Sequence, residues 1–258
     1  VAKRTENIKY SASRINLFYE CPLKYKHKYI DKWKDRPNEY MVYGSSIHSA
    51  LEENYKQKIK SKKDLDKKEI INVFKKELKK DLKTCAFMGK ESVNTFLLKG
   101  ENMLHEYMIK IAPTIQPEFV EKKFDIPLKS YPFSIRGIID LIDINGVVSD
   151  HKNCGQSTIR IWTQSKVDND LQATFYSLAY RKMFNKREKN IRFDILPRVD
   201  KPVFIQLLTI REDIQLHQLL NIITNIDTVI KNKLFYANLK HCSQCPYKDR
   251  CNKINSKT

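Results

Sequence analysis

The sequence predicts an α/β fold: a helical front, a group of strands in the middle, further helices, and a cysteine-rich end. Three observations carry this. Apolar residues recur at helical spacing up to about Ile111, alternate with a period of two between Phe119 and Lys152, and return to helical spacing from Leu171. Of the 258 residues, 41% are apolar, enough for a sizeable core. Three of the six cysteines fall in the last 17 residues.

From Ser11 to Lys34 the apolar and aromatic residues are helically spaced, with Ser11 or Ser13 available as N-cap and Pro22 marking a break or a new first turn. Gly44 to Lys60 is an amphipathic helix, because Ile47, Leu51, Tyr55 and Ile59 fall on one face. A lysine-rich helix is expected over about Asp64 to Leu82, and another over about Glu91 to Ile111, where Phe96, Met103, Leu104 and Tyr107 belong to a broad core-seeking face. Phe119 to Leu128, Phe133 to Ile144 and Val147 to Lys152 read as the strands of a meander, the last two joined at Asn145-Gly146. Leu171 to Phe184 is helical, Val203 to Ile210 is a further strand, and Asp213 to Leu234 is a long helix with an acidic first turn. No internal repeat and no Pro/Gly/Ser linker divides the chain. One domain over 1–258 is expected, with a helical front (1–115), a sheet core (116–212) and a C-terminal helix with its cysteine loop (213–258).

Lys plus Arg number 48 against 30 Asp plus Glu, a net +18 that favours polyanionic partners such as nucleic acid or acidic lipid, although a Lys-, Ile- and Asn-rich composition contributes to it. No apolar run approaches the ~20 residues needed to cross a bilayer, and the basic start Val1 to Arg4 is not followed by a signal-type apolar stretch. A soluble intracellular or cytoplasmic protein without membrane association is expected. Val1 stands where an initiator Met would, so residues preceding it are expected too. Walker A, Gly-x-Ser-x-Gly and His-Glu-x2-His patterns do not occur, which excludes the signatures of an ATP motor, a serine hydrolase and a zincin.

The chemistry concentrates in one hairpin. Asp140 ends Gly137-Ile-Ile-Asp140, and Asp150 opens Asp150-His-Lys152, so two carboxylates and a lysine stand among apolar flanks where charge is costly. Converging carboxylates repel unless a divalent cation neutralises them, and hard oxygen ligands suit Mg²⁺ or Mn²⁺. A lysine on the same face can hold the attacking water or the phosphate charge. Asp-x-Lys alone is a short pattern that chance also produces, and register sets a further condition. With Asn145-Gly146 as a two-residue turn, Leu141 would face Asp150 and Asp140 would point to the opposite face. A three-residue loop from Ile144, with Gly146 left-handed in a bulge, pairs Asp143 with Val147 and therefore Asp140 with Asp150. At the C-terminus, Cys242-x2-Cys245-x5-Cys251 lets a short loop fold three thiolates around one soft metal centre that needs a fourth ligand. The spacing suits iron–sulfur and zinc alike; the competing reading is three incidental thiols in a frayed tail.

Seven short elements therefore follow one another along nearly the whole chain: Ser11-Ala-Ser13 leading to Cys21-Pro22, Gly44-x3-His48, Glu121 on the first strand, Gly137-x2-Asp140, Asp150-x-Lys152, Gln172-x3-Tyr176 and the terminal cysteines. In this order the sequence resembles the RecB-like nucleases of the PD-(D/E)XK superfamily, including AddB-type and CRISPR-associated exonucleases with an iron–sulfur cluster. The resemblance implies a restriction-endonuclease-like core, a mixed sheet flanked by helices. It implies that His48, Asp140 and Asp150 hold Mg²⁺ or Mn²⁺, with Glu121 as a further carboxylate. It also implies that Lys152 orients the nucleophile, that Gln172 and Tyr176 line the site from a helix, and that Cys21, Cys242, Cys245 and Cys251 bind a 4Fe-4S cluster, zinc being the alternative. Asn153 stands where that family usually has Ser or Thr, and His151 where Tyr is common; neither is expected to touch the metal ligands.

The residues themselves agree with the resemblance. His48 lies beside the apolar stripe of its helix, and imidazole is an intermediate ligand suited to Mn²⁺, though a hydrogen-bonded boundary histidine is the plainer reading. Gln172 and Tyr176 are four apart and share a helical face, which could otherwise be an ordinary polar edge. Glu121 is either a ligand or a solvent-facing strand residue. Cys21 as fourth cluster ligand would clamp the two ends of the chain together, while Cys85 and Cys154 are assigned to no metal, Cys154 being expected as a free buried thiol. Lys24, Lys28 and Lys32 form a helical stripe beside Tyr25, Tyr29 and Trp33, a pairing that could grip a DNA strand by phosphate contact and stacking unless the aromatics are core. The lysine runs Lys56 to Lys68 and Lys75 to Lys80 read as solvated faces. The resulting expectation is a metal-dependent DNA exonuclease acting on single strands or ends, in recombination, repair, replication or CRISPR-type processing, with a helicase or integrase subunit as a partner. A catalytically silent, cluster-stapled DNA-binding or adaptor subunit is the alternative, and the complete acid–lysine set argues against it.

Overall fold

The computed structural model describes residues 7–89 and 91–255, so the basic start Val1 to Arg4 lies outside it. Six strands, β1 (Ile8–Tyr10), β2 (Pro117–Pro127), β3 (Phe133–Asp143), β4 (Val147–Gly155), β5 (Asn190–Arg198) and β6 (Ile205–Thr209), make one mixed sheet of order β1-β3-β4-β5-β6, with β2 paired to β3. The pairs β1–β3 and β4–β5 are parallel, and β3–β4 and β5–β6 antiparallel. With helices flanking this sheet, the fold class is the one the sequence predicts. Strands β1 and β5 were not anticipated, although β5 lies between β4 and β6. The chain divides into two compact units, the first comprising Val1–Asp35, Phe124–Gly137 and Glu212–Thr258, the second Arg36–Lys123 and Ile138–Arg211.

In the first unit, Ser11 caps α1 (Ala12–Glu20) by accepting from the Arg14 N–H at 3.3 Å. Pro22 then starts α2 (Pro22–Tyr25), and the chain widens into a π-helical turn over Lys26–Ile30. Ile15, Phe18 and Tyr25 are buried, α1 packs on α8 (Asp213–Lys231), and the Tyr10 hydroxyl donates to Asp227 at 2.9 Å. The new first turn expected at Pro22 is present, but the helical spacing expected on to Lys34 is corrected, because the chain leaves α-helical geometry after Tyr25. Lys32 lies beyond the helical turns with φ 55, so Lys24, Lys28 and Lys32 are not one stripe; Lys24 pairs with Glu20 and Lys28 with Asp35. Of the aromatics only Tyr25 is core: half-buried Tyr29 packs on it, and half-buried Trp33 stacks on His27 with ring centroids 3.8 Å apart. Gly137 is forced by a close approach, since a Cβ there would come within 2.5 Å of the Phe124 ring.

In the second unit, Asn38 caps α3 (Glu39–Ser61) by accepting from the Met41 N–H, which is why this helix starts ahead of Gly44. An Asp66–Glu69 capping box opens α4 (Lys67–Leu82), and Ser92 caps α5 (Val93–Lys110). Their inward faces, including Ile47, Leu51, Phe74, Leu78, Phe96 and Met103, meet Leu141 and Leu196 of the sheet in one apolar cluster. Most lysines of α4 stay outside it, but Lys58 departs from the solvated-face expectation: it is buried, pairs with Asp64 at 2.8 Å and donates to the Ala112 carbonyl. Two further helices follow, α6 (Gln164–Asp168), not anticipated, and α7 (Leu171–Phe184), which spans the residues the periodicity indicates. Buried Arg211 donates to the carbonyls of Val167 and Asp170 and to Thr174, joining α6 to α7.

The β3–β4 hairpin takes the bulged register. Leu141 pairs with Ser149 and Ile142 with Val148, and continuing that count opposes Asp140 to Asp150. Gly146 has φ +77, its N–H donates to the Asp143 carbonyl at 2.9 Å, and the Asp143 carboxylate accepts from the N–H groups of Asn145 and Val147. Only glycine adopts that left-handed turn without strain. Among the described residues no helix is long and apolar enough to cross a membrane.

Candidate metal centre and nuclease site

Asp140 stands just past the last hydrogen-bonded pairs of β3 and β4. There its carboxylate, instead of a ladder carbonyl, accepts the His151 backbone N–H, at 2.9 Å. The same oxygen, Oδ2, lies 3.4 Å from His48 Nδ1 on α3 and 3.6 Å from His151 Nδ1. One donor atom each from His48, Asp140 and His151 falls within 4.8 Å of the others. With metal–ligand bonds of ~2.1 Å, neighbouring ligand atoms of one cation lie ~3–4 Å apart, so these residues fit a divalent ion. The mixed imidazole–carboxylate set suits Mn²⁺ at least as well as Mg²⁺. Burial pushes the Asp140 carboxyl up, but the hydrogen bond from His151 and the charges of His48 and His151 outweigh it and hold it below the usual range.

His151 corrects the expectation that neither it nor Asn153 touches the ligands. Its backbone and ring both meet Asp140, and its Nε2 is 3.1 Å from the Tyr107 hydroxyl, which is 2.8 Å from that of Tyr55. Burial pushes the His151 imidazole down, yet Asp140 and Asp194 together raise it above its ordinary value. The two tyrosines fix the ring and leave Nδ1 toward Asp140, the arrangement outer partners give to metal-binding histidines. The signal available in the sequence was a histidine between two charged residues on an otherwise apolar strand.

Asp150 is buried, and three side chains converge on it. Gln172 Nε2 donates to Oδ1 at 2.7 Å, the Tyr176 hydroxyl donates to the same oxygen at 2.9 Å, and Lys152 Nζ is 2.7 Å from Oδ2. Lys152 also donates to Gln172 Oε1 at 2.6 Å, closing a ring of polar contacts between β4 and α7. The one-face placement of Gln172 and Tyr176 thus serves a carboxylate. Burial and the Asp140 charge raise the Asp150 carboxyl above its usual value against the pull of Lys152. Lys152 itself loses by burial but is held above its ordinary value by Asp150, and so stays protonated. Glu121 on β2 sits within electrostatic reach: burial, then the charges of Asp140 and Glu52, lift its carboxyl to about 7. Its φ of 49 is a left-handed conformation that costs a non-glycine residue about 1–2 kcal/mol.

In the first unit, Cys21, Cys242, Cys245 and Cys251 line one small cavity. The Cys21 sulfur accepts from the N–H groups of Lys24 at 3.4 Å and Asn238 at 3.3 Å, the backbone support usual for a cluster or zinc thiolate. The four cysteines, from both ends of the sequence, share this cavity, though among the described residues no three of their sulfurs lie within 4.8 Å of one another. Cys85 bonds the Leu82 carbonyl, and Cys154 is buried, its thiol pushed by burial up to about 11.

The family model of the PD-(D/E)XK nuclease superfamily matches residues 9–252. A solved structure, the "Putative exonuclease" of Eubacterium rectale, is similar with a TM-score of 0.62 at 14% identity, over 93% of this chain and 87% of that one. The crystal structure of SSO0001 is similar over 89% of this chain and 92% of its own, with 11% identity and a TM-score of 0.34. No curated protein matches.

Proposed function

The chain belongs to the PD-(D/E)XK nuclease superfamily, and we propose on that footing that it is a RecB-like, metal-dependent DNA exonuclease acting on single strands or strand ends. The observation that carries this reading is the convergence of Lys152, Gln172 and Tyr176 on buried Asp150, beside the His48–Asp140–His151 group. His48, Asp140 and Asp150, with Glu121 and the newly adjacent His151, would hold Mg²⁺ or Mn²⁺. When bound, the cation supplies a Lewis acid for the scissile phosphate oxygens. Lys152, kept protonated by Asp150, offers positive charge to the phosphate as negative charge builds up, and its ammonium group orients an attacking water. Gln172 and Tyr176 hold Asp150 in one orientation, and Tyr107 does the same for His151.

Cys21, Cys242, Cys245 and Cys251 would bind a 4Fe-4S cluster, with zinc as the alternative, clamping the two ends of the chain. The net charge of +18 supports a DNA substrate, and Lys24, Lys28 and Lys32 remain candidates for phosphate contact even though they do not share one helical stripe. The activity would serve intracellular recombination, repair, replication or CRISPR-type processing alongside a helicase or integrase subunit.

The test is digestion of end-labelled linear and circular single-stranded DNA with Mg²⁺ or Mn²⁺. Linear DNA should be degraded, circular DNA spared, and Asp150→Ala should be inert while still binding DNA; cutting of circles would overturn the exonuclease assignment. Protein purified without air should be brown and contain iron, and Cys21→Ala should lose the colour. Colourless protein with stoichiometric zinc would remove the iron–sulfur assignment and leave the clamp.

A further inference from the structure

The ring of His151 is held between two carboxylates. Its Nδ1 is 3.6 Å from Asp140 Oδ2, on the side of the candidate metal centre, and its Nε2 is 3.8 Å from Oδ2 of Asp194. Asp194 is the register partner of His151 across the parallel β4–β5 ladder, so both side chains leave the sheet on one face, opposite to that of Asp150 and Lys152. Both residues are buried. The Asp194 carboxylate is itself fixed: Gln206 Nε2 donates to Oδ1 at 2.7 Å, and Arg192 Nε lies 3.0 Å from Oδ1 and 3.2 Å from Oδ2. Pairing with Arg192 accounts for a charge that survives burial. It does not require that Oδ2 stand beside an imidazole of the metal group.

A neutral imidazole carries its proton on one nitrogen and offers a lone pair on the other. For Nδ1 to join Asp140 and His48 on one cation, the proton must sit on Nε2. Two groups meet Nε2, the Tyr107 hydroxyl at 3.1 Å and the Asp194 carboxylate. The hydroxyl alone does not choose, because it can donate to a bare Nε2 or accept from Nε2–H, and its other partner, the Tyr55 hydroxyl at 2.8 Å, can take either role as well. Asp140, on the far side of the ring, draws the proton to Nδ1, which would block both ligand atoms with one hydrogen bond. An ionised carboxylate behind Nε2 draws it the other way, and in a buried setting a charge at that distance is weakly screened. We propose that Asp194 is a positioning residue of the metal centre: through His151 it keeps the ring proton on Nε2 and leaves the Nδ1 lone pair for the cation. This rests on the metal reading of the His48–Asp140–His151 group. It extends that centre one strand further, to β5, through a residue that does not itself touch the metal.

The test is calorimetric titration of the full chain with Mn²⁺, without DNA. Asp194→Asn keeps the side-chain volume and removes the charge, and should weaken Mn²⁺ binding about tenfold. In a His151→Ala background, which keeps His48, Asp140 and Asp150, the same substitution should leave the affinity unchanged, because the ring through which Asp194 acts is gone. A readout on the wild type alone serves should Asp194→Asn fail to fold: nitrogen NMR of the Mg²⁺-loaded protein, with His151 assigned by its loss in His151→Ala, should show the ring protonated at Nε2. Equal Mn²⁺ affinities of wild type and Asp194→Asn, an equal loss with and without His151, or a Mg²⁺-loaded ring protonated at Nδ1 would each overturn the role of Asp194 while the metal site stands. A wild type that binds no Mn²⁺ would overturn both the positioning role and the metal reading on which it rests.

Discussion

Replacing Glu121 by Gln should stabilise the metal-free protein at pH 8 far more than at pH 5. Burial and the neighbouring charges of Asp140 and Glu52 lift this carboxyl to about 7, from an ordinary value of 4.5. The folded value lies above the unfolded one, so the native state binds the extra proton between them, and stability falls as pH climbs through that window and then levels off. At about 1.4 kcal/mol per pH unit, full loss across the window is about 3 kcal/mol. The side chain keeps some contact with solvent, so about 1–2 kcal/mol is the expected figure after screening. Gln keeps the size and polarity without the charge. Urea unfolding in chelator measures it: the gap between variant and wild type should be about 1–2 kcal/mol wider at pH 8 than at pH 5. Adding Mn²⁺ at pH 8 should then stabilise the wild type more than the variant, because a nearby cation favours the ionised carboxylate. Equal gaps at the two pH values would refute the electrostatic account of this residue.

Tyr176→Phe removes one of the two neutral donors on Asp150 Oδ1 and should lower the rate of DNA hydrolysis about 10- to 100-fold with the unfolding midpoint nearly unchanged. An unaltered rate would mean that Gln172 alone orients the carboxylate. Tyr107→Phe releases the His151 ring and should weaken Mn²⁺ binding about 10-fold by calorimetric titration; the same affinity in both proteins would detach His151 from the metal. Gly100→Ala on α5 would set a Cβ 2.1 Å from the Phe74 ring inside a closed core, and should lose roughly 1–3 kcal/mol in chemical denaturation. Wild-type stability would mean that the α4–α5 contact is looser than drawn.

Helices α3, α4, α5, α7 and α8 were legible because each carries an apolar stripe of helical period, and caps such as Ser92 and Asp66 fall where the pattern starts. Strand β5 carries its signal in plain view. It reads Asn-Ile-Arg-Phe-Asp-Ile-Leu-Pro-Arg, and Ile191, Phe193 and Ile195 alternate with Arg192 and Asp194, the period of two that marks a strand. What the pattern does not foretell is that its polar half is also covered: Asp194 is buried and pairs with Arg192 at 3.0 Å, with Gln206 of β6 donating to the same carboxylate. Three-residue β1 is simply too short for a period to be seen. The broken helix after Pro22 shows the opposite error: Tyr25, Tyr29 and Trp33 are helically spaced, but the spacing persists across a π-helical turn and a left-handed residue where no α-helix runs.

The site divides along the same line between what alternation alone decides and what the end of a ladder decides. Asp150 and Lys152 share a face because they are two apart on β4, and Gln172 and Tyr176 reach them because they are four apart on α7. Those relations hold for any register, so the motif residues could be read from the sequence. The relation of Asp140 to Asp150 holds only for the bulged turn at Gly146, and the hairpin adopts it. His151 should then face away from Asp150. It meets Asp140 nonetheless because past the Leu141–Ser149 pair a side-chain carboxylate, that of Asp140, takes the His151 N–H that a carbonyl of the neighbouring strand would otherwise accept. A carboxylate from β3 and an imidazole from β4 thus come together, beside a second imidazole from α3. The His151 ring is held there from outside the sheet, by the Tyr107 hydroxyl of α5, itself bonded to Tyr55 of α3, and no local pattern on β3 or β4 encodes that support.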